Sequence, residues 1–120
     1  MTPKFLVAAF AALALATAAP AAFAHAAMTK TNITDQASFA QAPKTFSATF
    51  EHETSLAGLM LMGPGAKHIE LDYKPSTAMA KTFEVPLPTL AAGAYTLSWK
   101  TVAKDGHAMK GDIHFTVTGN

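Results

Sequence analysis

The sequence from residue 99 to residue 118 reads Trp99-Lys-Thr-Val-Ala-Lys-Asp-Gly-His-Ala-Met-Lys-Gly-Asp-Ile-His-Phe-Thr-Val-Thr118. Apolar residues alternate with polar ones on both sides of its polar centre, at Tyr95, Leu97 and Trp99 and again at Ile113, Phe115 and Val117. This alternation predicts two half-buried strands, and the Gly-containing connection predicts a hairpin or a short bulged loop. The connection carries Asp105 and His107, which project to the same side if the segment is extended. A carboxylate and an imidazole so placed provide part of a metal site.

Residues 1–24 have the features of a secretory signal peptide. Lys4 gives a basic start, an apolar run follows from Phe5 to Ala19, and Ala22-Phe-Ala24 has the small-x-small form that signal peptidase cleaves after. The apolar run is too short for a comfortable transmembrane helix, and no later stretch approaches the required length. The sequence therefore predicts an exported protein without a membrane span after cleavage, in which His25 is the first residue.

The composition of residues 25–120 suits one small domain with a single core. The whole chain has nine Lys and Arg against eight Asp and Glu, so no nucleic-acid binding and no polybasic membrane anchor is expected. It has no cysteine. Thiolate metal sites, iron–sulfur clusters, thiol redox chemistry and blue-copper centres are thereby excluded, because each requires Cys.

Further strands are predicted at residues 44–50, 56–62, 68–73 and 82–87. The first is expected to end at the segment Glu51-His-Glu53, and two prolines place the last at a sheet edge or a strand end. The sequence Leu90-Ala-Ala-Gly-Ala-Tyr95 resembles a tyrosine corner, in which the phenol bonds to nearby backbone. The expected fold is all-β, a Greek-key antiparallel β-sandwich or barrel of about seven strands.

The candidate metal ligands are His25, Asp105 and His107. A free α-amine and the imidazole of the same residue can chelate one metal ion, and the ordinary pKa of the amine near 8 lets a metal displace its proton. One amine, two imidazoles and one carboxylate suit copper(II), although zinc also accepts such ligands. An alternative for the tripeptide alone is plain turn chemistry, since Asp-Gly is a common turn dipeptide.

Other candidate ligands receive weaker assignments from the sequence. His52 is interpreted as an auxiliary ligand, a neighbour of the ligands or a surface residue, with the last two favoured. His68 and His114 occupy polar-face positions and are expected to be solvated. Met60 and Met62 share a strand face within an apolar run and are interpreted as core, so a dedicated copper(I) site is not expected.

These residues resemble the CopC family of periplasmic copper-binding proteins over essentially all of residues 25–120. The resemblance rests on four segments: His25-Ala, Pro43-Lys-Thr-Phe-Ser-Ala-Thr-Phe50, Val85-Pro-Leu-Pro88 with Leu90-Ala-Ala-Gly-Ala-Tyr-Thr-Leu-Ser-Trp99, and Asp105-Gly-His107 with Lys110-Gly-Asp-Ile-His-Phe-Thr-Val117. It implies an immunoglobulin-like or cupredoxin-like fold that binds copper(II) through the N-terminal His, the loop Asp and the loop His. The chain lacks the methionine-rich stretch of some members and has His52 where many have Glu.

The predicted function is that of a periplasmic copper(II)-binding protein for copper tolerance, storage or delivery, and not of an enzyme. Its expected partners are the copper ion and an inner-membrane copper transporter, and a monomer is expected. One alternative is a small copper-dependent monooxygenase, which also uses an N-terminal His, although Asp105 would occupy a position that oxygen needs. Another is a metal-free immunoglobulin-like interaction module.

Overall fold

A computed structural model describes residues 28–119 of the chain. The signal peptide predicted at residues 1–24 and the candidate ligand His25 lie outside this range. The described part is almost entirely β-structure, with seven strands and one short 3-10 turn at Pro64–Ala66. The strands are β1 (Met28–Thr31), β2 (Ala37–Phe39), β3 (Thr45–Gly63), β4 (Lys67–Ile69), β5 (Ala80–Pro86), β6 (Gly93–Ala103) and β7 (Ala108–Val117). The all-β prediction and the number of strands are therefore confirmed.

The long strand β3 connects the two halves of the sheet. Its first part, from Thr45 to Thr49, pairs with β5 and, over Ala48 to Phe50, with β1. Its second part, from Thr54 to Met62, pairs with β6, and its last residues pair with β4. The register with β5 is irregular between Thr49 and Thr54. The strand thus changes partners across residues 50–53.

The prediction that this strand ends at Glu51-His-Glu53 is wrong. All three residues are exposed, yet the backbone stays extended through them and the two predicted strands are one. Neither Gly nor Pro occurs between residues 45 and 57, so nothing in the sequence forces a turn there. Three polar residues in a row mark a change of partner strand in this protein and not a loop.

The hairpin predicted around residues 99–118 is confirmed. Strands β6 and β7 pair antiparallel from Gly93↔Val117 to Val102↔Ala108, without a register shift. Strand β7 also pairs with β2, and this pair is parallel, with Ala37 opposite Phe115. The sheet is therefore mixed, and not wholly antiparallel as predicted. The short β2 escaped the sequence analysis because it lies in a polar, turn-rich segment with little alternation.

Two other strands differ in length from their predictions. The strand predicted at residues 68–73 is limited to β4, Lys67–Ile69, so its alternating pattern continues into irregular chain. Strand β5 begins two residues before the segment predicted at 82–87 and ends one residue before its end. Among the described strands it pairs only with β3, which agrees with an edge position. Within residues 28–119 no helix has the length and apolar character needed to cross a membrane.

Aromatic side chains join the two halves of the sheet in the core. The ring of Phe50 from the first part of β3 meets Trp99 of β6 edge-on, with centroids 5.6 Å apart. Tyr95 stacks on Phe115 at 5.4 Å, and its hydroxyl donates to the Ala91 carbonyl oxygen at 2.6 Å. This last hydrogen bond is the predicted tyrosine corner. It fixes the start of β6, and the β6–β7 hairpin extends from there to the loop that contains Asp105.

Candidate metal centre

The loop between β6 and β7 spans Lys104–His107 and is closed by two backbone hydrogen bonds. The Gly106 amide donates to the Ala103 carbonyl oxygen at 2.9 Å, and the Ala103 amide donates to the His107 carbonyl oxygen at 2.8 Å. Gly106 has a φ of 89°, which residues with a side chain rarely adopt. The Asp-Gly-His sequence is thus suited to a tight turn that leaves Asp105 and His107 on either side of the glycine.

Asp105 and His107 form a close pair at the tip of this loop. The Nδ1 atom of His107 lies 2.7 Å from Oδ2 of Asp105, and the backbone amide of His107 donates to Oδ1 at 3.0 Å. Both side chains are largely exposed, at 84% for His107 and 64% for Asp105. The hydrogen bond from the His107 side chain, followed by that from its backbone amide, lowers the pKa of the Asp105 carboxyl.

The pair also affects the imidazole. The hydrogen bond to Asp105, together with the negative charge of that carboxylate, raises the pKa of His107 above its ordinary 6.5. The imidazole of His107 therefore holds its proton more tightly than an isolated histidine does, and that proton lies between Nδ1 and Oδ2. A metal ion that binds between these two atoms has to displace that proton.

The two donor atoms of the pair lie about as far apart as two neighbouring ligands of one metal ion. Nitrogen and oxygen ligands bind metals such as Zn²⁺ at about 2.0 Å, so two ligands at right angles around one ion lie about 2.8 Å apart. The 2.7 Å between Nδ1 and Oδ2 is close to this value. A carboxylate oxygen has lone pairs to spare, so Asp105 can keep the hydrogen bond from the His107 amide while binding a metal.

A small pocket lies directly beside His107. It has a volume of about 80 Å³ and is lined mainly by residues of β3, β6 and β7: Phe50, His52, Glu53, Thr54, Thr101, Ala103, His107 and Met109. His52 of β3 and His107 of the loop thus line the same pocket. The sequence analysis favoured a neighbour of the ligands or a surface residue for His52, and the structure shows it exposed at the edge of this pocket.

Strand β1 begins near this pocket. Met28 lies opposite Phe50, which lines this pocket, and β1 runs antiparallel to β3. His25 itself is outside the described residues. Within residues 28–119, no three His, Asp or Glu side chains come together closely enough to enclose a metal ion.

The remaining histidines lie elsewhere. His68 is exposed on β4, which pairs with the far end of β3, opposite Met62. His114 is on β7, where its backbone amide donates to Oδ1 of Asp35 at 2.8 Å and its Nδ1 lies 3.1 Å from the same oxygen. His114 therefore forms a second exposed Asp–His pair, far along the hairpin from the loop.

The interpretation of Met60 and Met62 as core residues is wrong. Met60 is 47% exposed and Met62 is half-buried, whereas the intervening Leu61 is fully buried. Alternation along β3 places the two methionines on the outer face and the leucine on the inner one. Because residues 56–62 are apolar on both faces of the strand, the sequence did not reveal which face points inward. The structure places Leu61 in the core.

Comparison with known proteins agrees with this fold. The family model described as the CopC domain matches residues 28–118. Copper resistance protein C of Xanthomonas campestris pv. juglandis is 30% identical over 114 residues, which cover 88% of this chain and 89% of that protein. The crystal structure of CopC from Methylosinus trichosporium OB3b is similar with a TM-score of 0.63 at 19% identity, over 76% of this chain and 91% of that one. PcoC, a methionine-rich copper resistance protein from Escherichia coli, is similar with a TM-score of 0.54 at 21% identity, over 73% and 98% of the two chains.

Proposed function

The chain belongs to the CopC family of copper resistance proteins, and from this premise we propose that it binds one copper(II) ion for copper tolerance, storage or delivery. The proposed ligands are the α-amine and imidazole of His25, the carboxylate of Asp105 and the imidazole of His107. The observation that carries the proposal is the 2.7 Å contact between Nδ1 of His107 and Oδ2 of Asp105. This contact holds one nitrogen and one oxygen donor together at the loop, which supports a shared metal ion there.

The donor chemistry favours copper(II). Imidazole and amine nitrogens with one carboxylate oxygen suit a tetragonal copper(II) centre. Among the divalent first-row metals, copper(II) binds such sites most tightly. The chain has no cysteine to provide a thiolate. The exposed position of the loop lets the ion enter and leave, which suits a protein that holds or delivers copper and does not use it in a reaction.

His25 is within reach of the loop in this proposal. Two residues lie between it and Met28, so its Cα atom is at most about 11 Å from that of Met28. Met28 pairs with Phe50, which lines the pocket next to His107, and this supports the proposal. A terminal residue so tethered adds an amine and an imidazole to the two donors of the loop.

The proposed location is the periplasm, reached through cleavage of a signal peptide at residues 1–24. Cleavage after Ala24 is part of the copper chemistry, because it creates the free amine of His25. The proposed partner is an inner-membrane copper transporter that donates or receives the ion, and the proposed state is a monomer. No catalytic role is proposed.

The test is a copper(II) titration of protein beginning at His25, followed by electron paramagnetic resonance. We expect one equivalent to bind with a tetragonal, nitrogen-dominated spectrum. His107→Ala should weaken binding and change the spectrum. His114→Ala is the matched control, because His114 also lies beside an aspartate on the exposed surface. If His107→Ala and His114→Ala behave alike, the loop pair is not the metal site.

A further inference from the structure

Two lysines stand side by side on the outer face of the β6–β7 hairpin. Lys100 of β6 lies directly opposite Lys110 of β7, and both are exposed. Like charges directly opposite each other destabilise a strand pair. Among residues 28–119 neither lysine is within ion-pair distance of a carboxylate, since the ion pairs of this range involve histidines. One carboxylate placed between the two ammonium groups would remove their repulsion.

A groove with a mostly apolar surface lies beside this lysine pair. It has a volume of about 410 Å³, within the size range of natural binding pockets, and both lysines line it. Met60 and Tyr73 also line it, and Met60 is 47% exposed. Gly58, which pairs with Lys100, contributes backbone without a side chain. An exposed, flexible methionine beside bare backbone provides a surface on which an apolar side chain can pack.

Strand register gives this surface a length. The row of Met60 comes first, and the row of the two lysines follows two residues later. Ala108 lies two residues beyond Lys110, in a second hollow of about 260 Å³ that the lysines also line. Two residues span about 7 Å in a strand, so the surface is about 14 Å long. An extended segment of about four or five residues covers this length.

The charges on this surface distinguish between classes of partner. Asp112 also lines the groove, and the Ser98 hydroxyl donates to its Oδ1 at 2.6 Å. An anionic membrane is typically recognised by a cluster of about four to eight basic residues, and a nucleic acid by a basic patch or stripe. Two lysines with an aspartate beside them do not form such a cluster. They suit a single carboxylate with an apolar group next to it, and methionine is enriched at protein–protein interfaces.

We propose that the outer face around Met60, Lys100 and Lys110 is a docking surface for an extended acidic segment of a partner protein. One carboxylate of the segment bridges the two lysines, and an apolar side chain two residues away packs on Met60 and Tyr73. Side chains two residues apart in an extended segment point to the same side, which matches the two-residue step between the rows. The inference goes beyond the copper site and does not depend on it.

The experiment follows the amide resonances of isotope-labelled, metal-free protein beginning at His25 while a peptide is added. The probe is Ser-Phe-Ser-Glu-Ser, blocked at both ends, and its control has Gln in place of Glu. Saturable shifts are expected at residues 98–102 and 108–112. The Gln peptide should bind about fivefold more weakly, because exposed ion pairs each contribute modestly. The double variant Lys100→Gln with Lys110→Gln should show the same loss, without a lower apo melting temperature.

Matched variants separate this surface from the rest of the protein. Lys30→Gln with Lys81→Gln also removes two exposed lysines, but from β1 and β5, and should keep the wild-type affinity. Met60→Gln should weaken binding, whereas the same change at Met79, the other exposed methionine, should not.

Three results would overturn the inference. The first is a peptide titration without saturable shifts on the hairpin, and the second is equal affinity for the Glu and Gln peptides. The third is binding to vesicles of anionic lipid that needs Lys100 and Lys110 when binding of the peptide does not. Failure of the proposed copper site is a separate result, because no metal is present in these measurements.

Discussion

The Nδ1 atom of His107 lies 2.7 Å from Oδ2 of Asp105, while the backbone amide of the same histidine donates to Oδ1. Both carboxylate oxygens of Asp105 are therefore directed at one neighbour two residues away. The arrangement orients the imidazole without burying it, since both side chains are largely exposed. Both side chains are therefore accessible to the ion of the proposed site.

The first prediction concerns the proton between these two residues. Because Asp105 raises the pKa of His107, His107 should titrate above 6.5 in the apo protein, and Asp105→Asn should return it toward the ordinary value. Copper has to displace this proton, so copper affinity should fall as the pH decreases through the pKa of His107. Histidine NMR resonances followed against pH measure the titration directly. A His107 that titrates identically in the wild type and Asp105→Asn would contradict the prediction.

Much of the fold was predictable from sequence because its determinants are local. The alternation at Tyr95, Leu97 and Trp99 requires one face to be buried, and the hairpin of β6 and β7 follows with the loop at Asp105. The tyrosine corner was predictable for the same reason, since the bond from Tyr95 to Ala91 spans four residues. The loop residues named as candidate ligands are brought together by that same hairpin.

The features that sequence reasoning missed depend on distant contacts. The path of β3 through Glu51–Glu53 depends on a change of partner from β5 to β6, which no local pattern records. The parallel pairing of β2 with β7 depends on contact between residues far apart in the chain. Met60 and Leu61 look alike as apolar residues, and which of them is buried depends on which face of the whole sheet turns to the core. The pocket that His52 lines could not be predicted either, because residues of three strands form it.

The second prediction concerns the contact between Trp99 and Gly111, which are paired in the β6–β7 hairpin. A Cβ atom at Gly111 would lie 2.7 Å from Cζ2 of the Trp99 ring, so the indole packs on the bare backbone. Gly111→Ala should lower the free energy of unfolding by about 1–3 kcal/mol through overpacking, as measured by chemical denaturation. Gly58→Ala is the control, because its nearest contact would be an ordinary 3.5 Å to Lys100. Equal stability of the two variants would show that the indole moves aside freely.

The third prediction concerns the acid stability contributed by Asp35, which joins the segment before β2 to β7. The backbone amide of His114, followed by its side chain, donates to the Asp35 carboxylate and lowers its pKa below 3.8. A lowered folded-state pKa stabilises the protein above the unfolded value of about 3.9, and this contribution is lost as the pH falls through the folded value. The free energy of unfolding should therefore decrease less on acidification in Asp35→Asn than in the wild type. Asp72→Asn, an exposed carboxylate outside this contact, should follow the wild type, and an identical acid profile in Asp35→Asn would exclude a role for the pair.

The last prediction concerns the N-terminus that signal cleavage creates. If the α-amine of His25 is a ligand, then a single Gly placed before His25 converts that amine to an amide, whose nitrogen is a far poorer donor at neutral pH. The imidazole of His25 loses its chelate partner at the same time. Loss of a residue that hydrogen-bonds to a metal ligand typically lowers metal affinity about 10- to 100-fold. Because a ligand itself is lost here, copper(II) affinity should fall by at least that factor.

The fold should be unaffected by this extension, because His25 precedes β1 and the strand begins at Met28. The measurement compares the copper affinity and the apo melting temperature of protein beginning at His25 with those of protein beginning one residue earlier. Unequal affinity with equal melting assigns the loss to the amine and not to misfolding. An extension placed instead after Asn120 is the control and should alter neither quantity. If the two N-terminal forms bind copper equally well, the amine is not a ligand, and the site reduces to the side chains beside the β6–β7 loop.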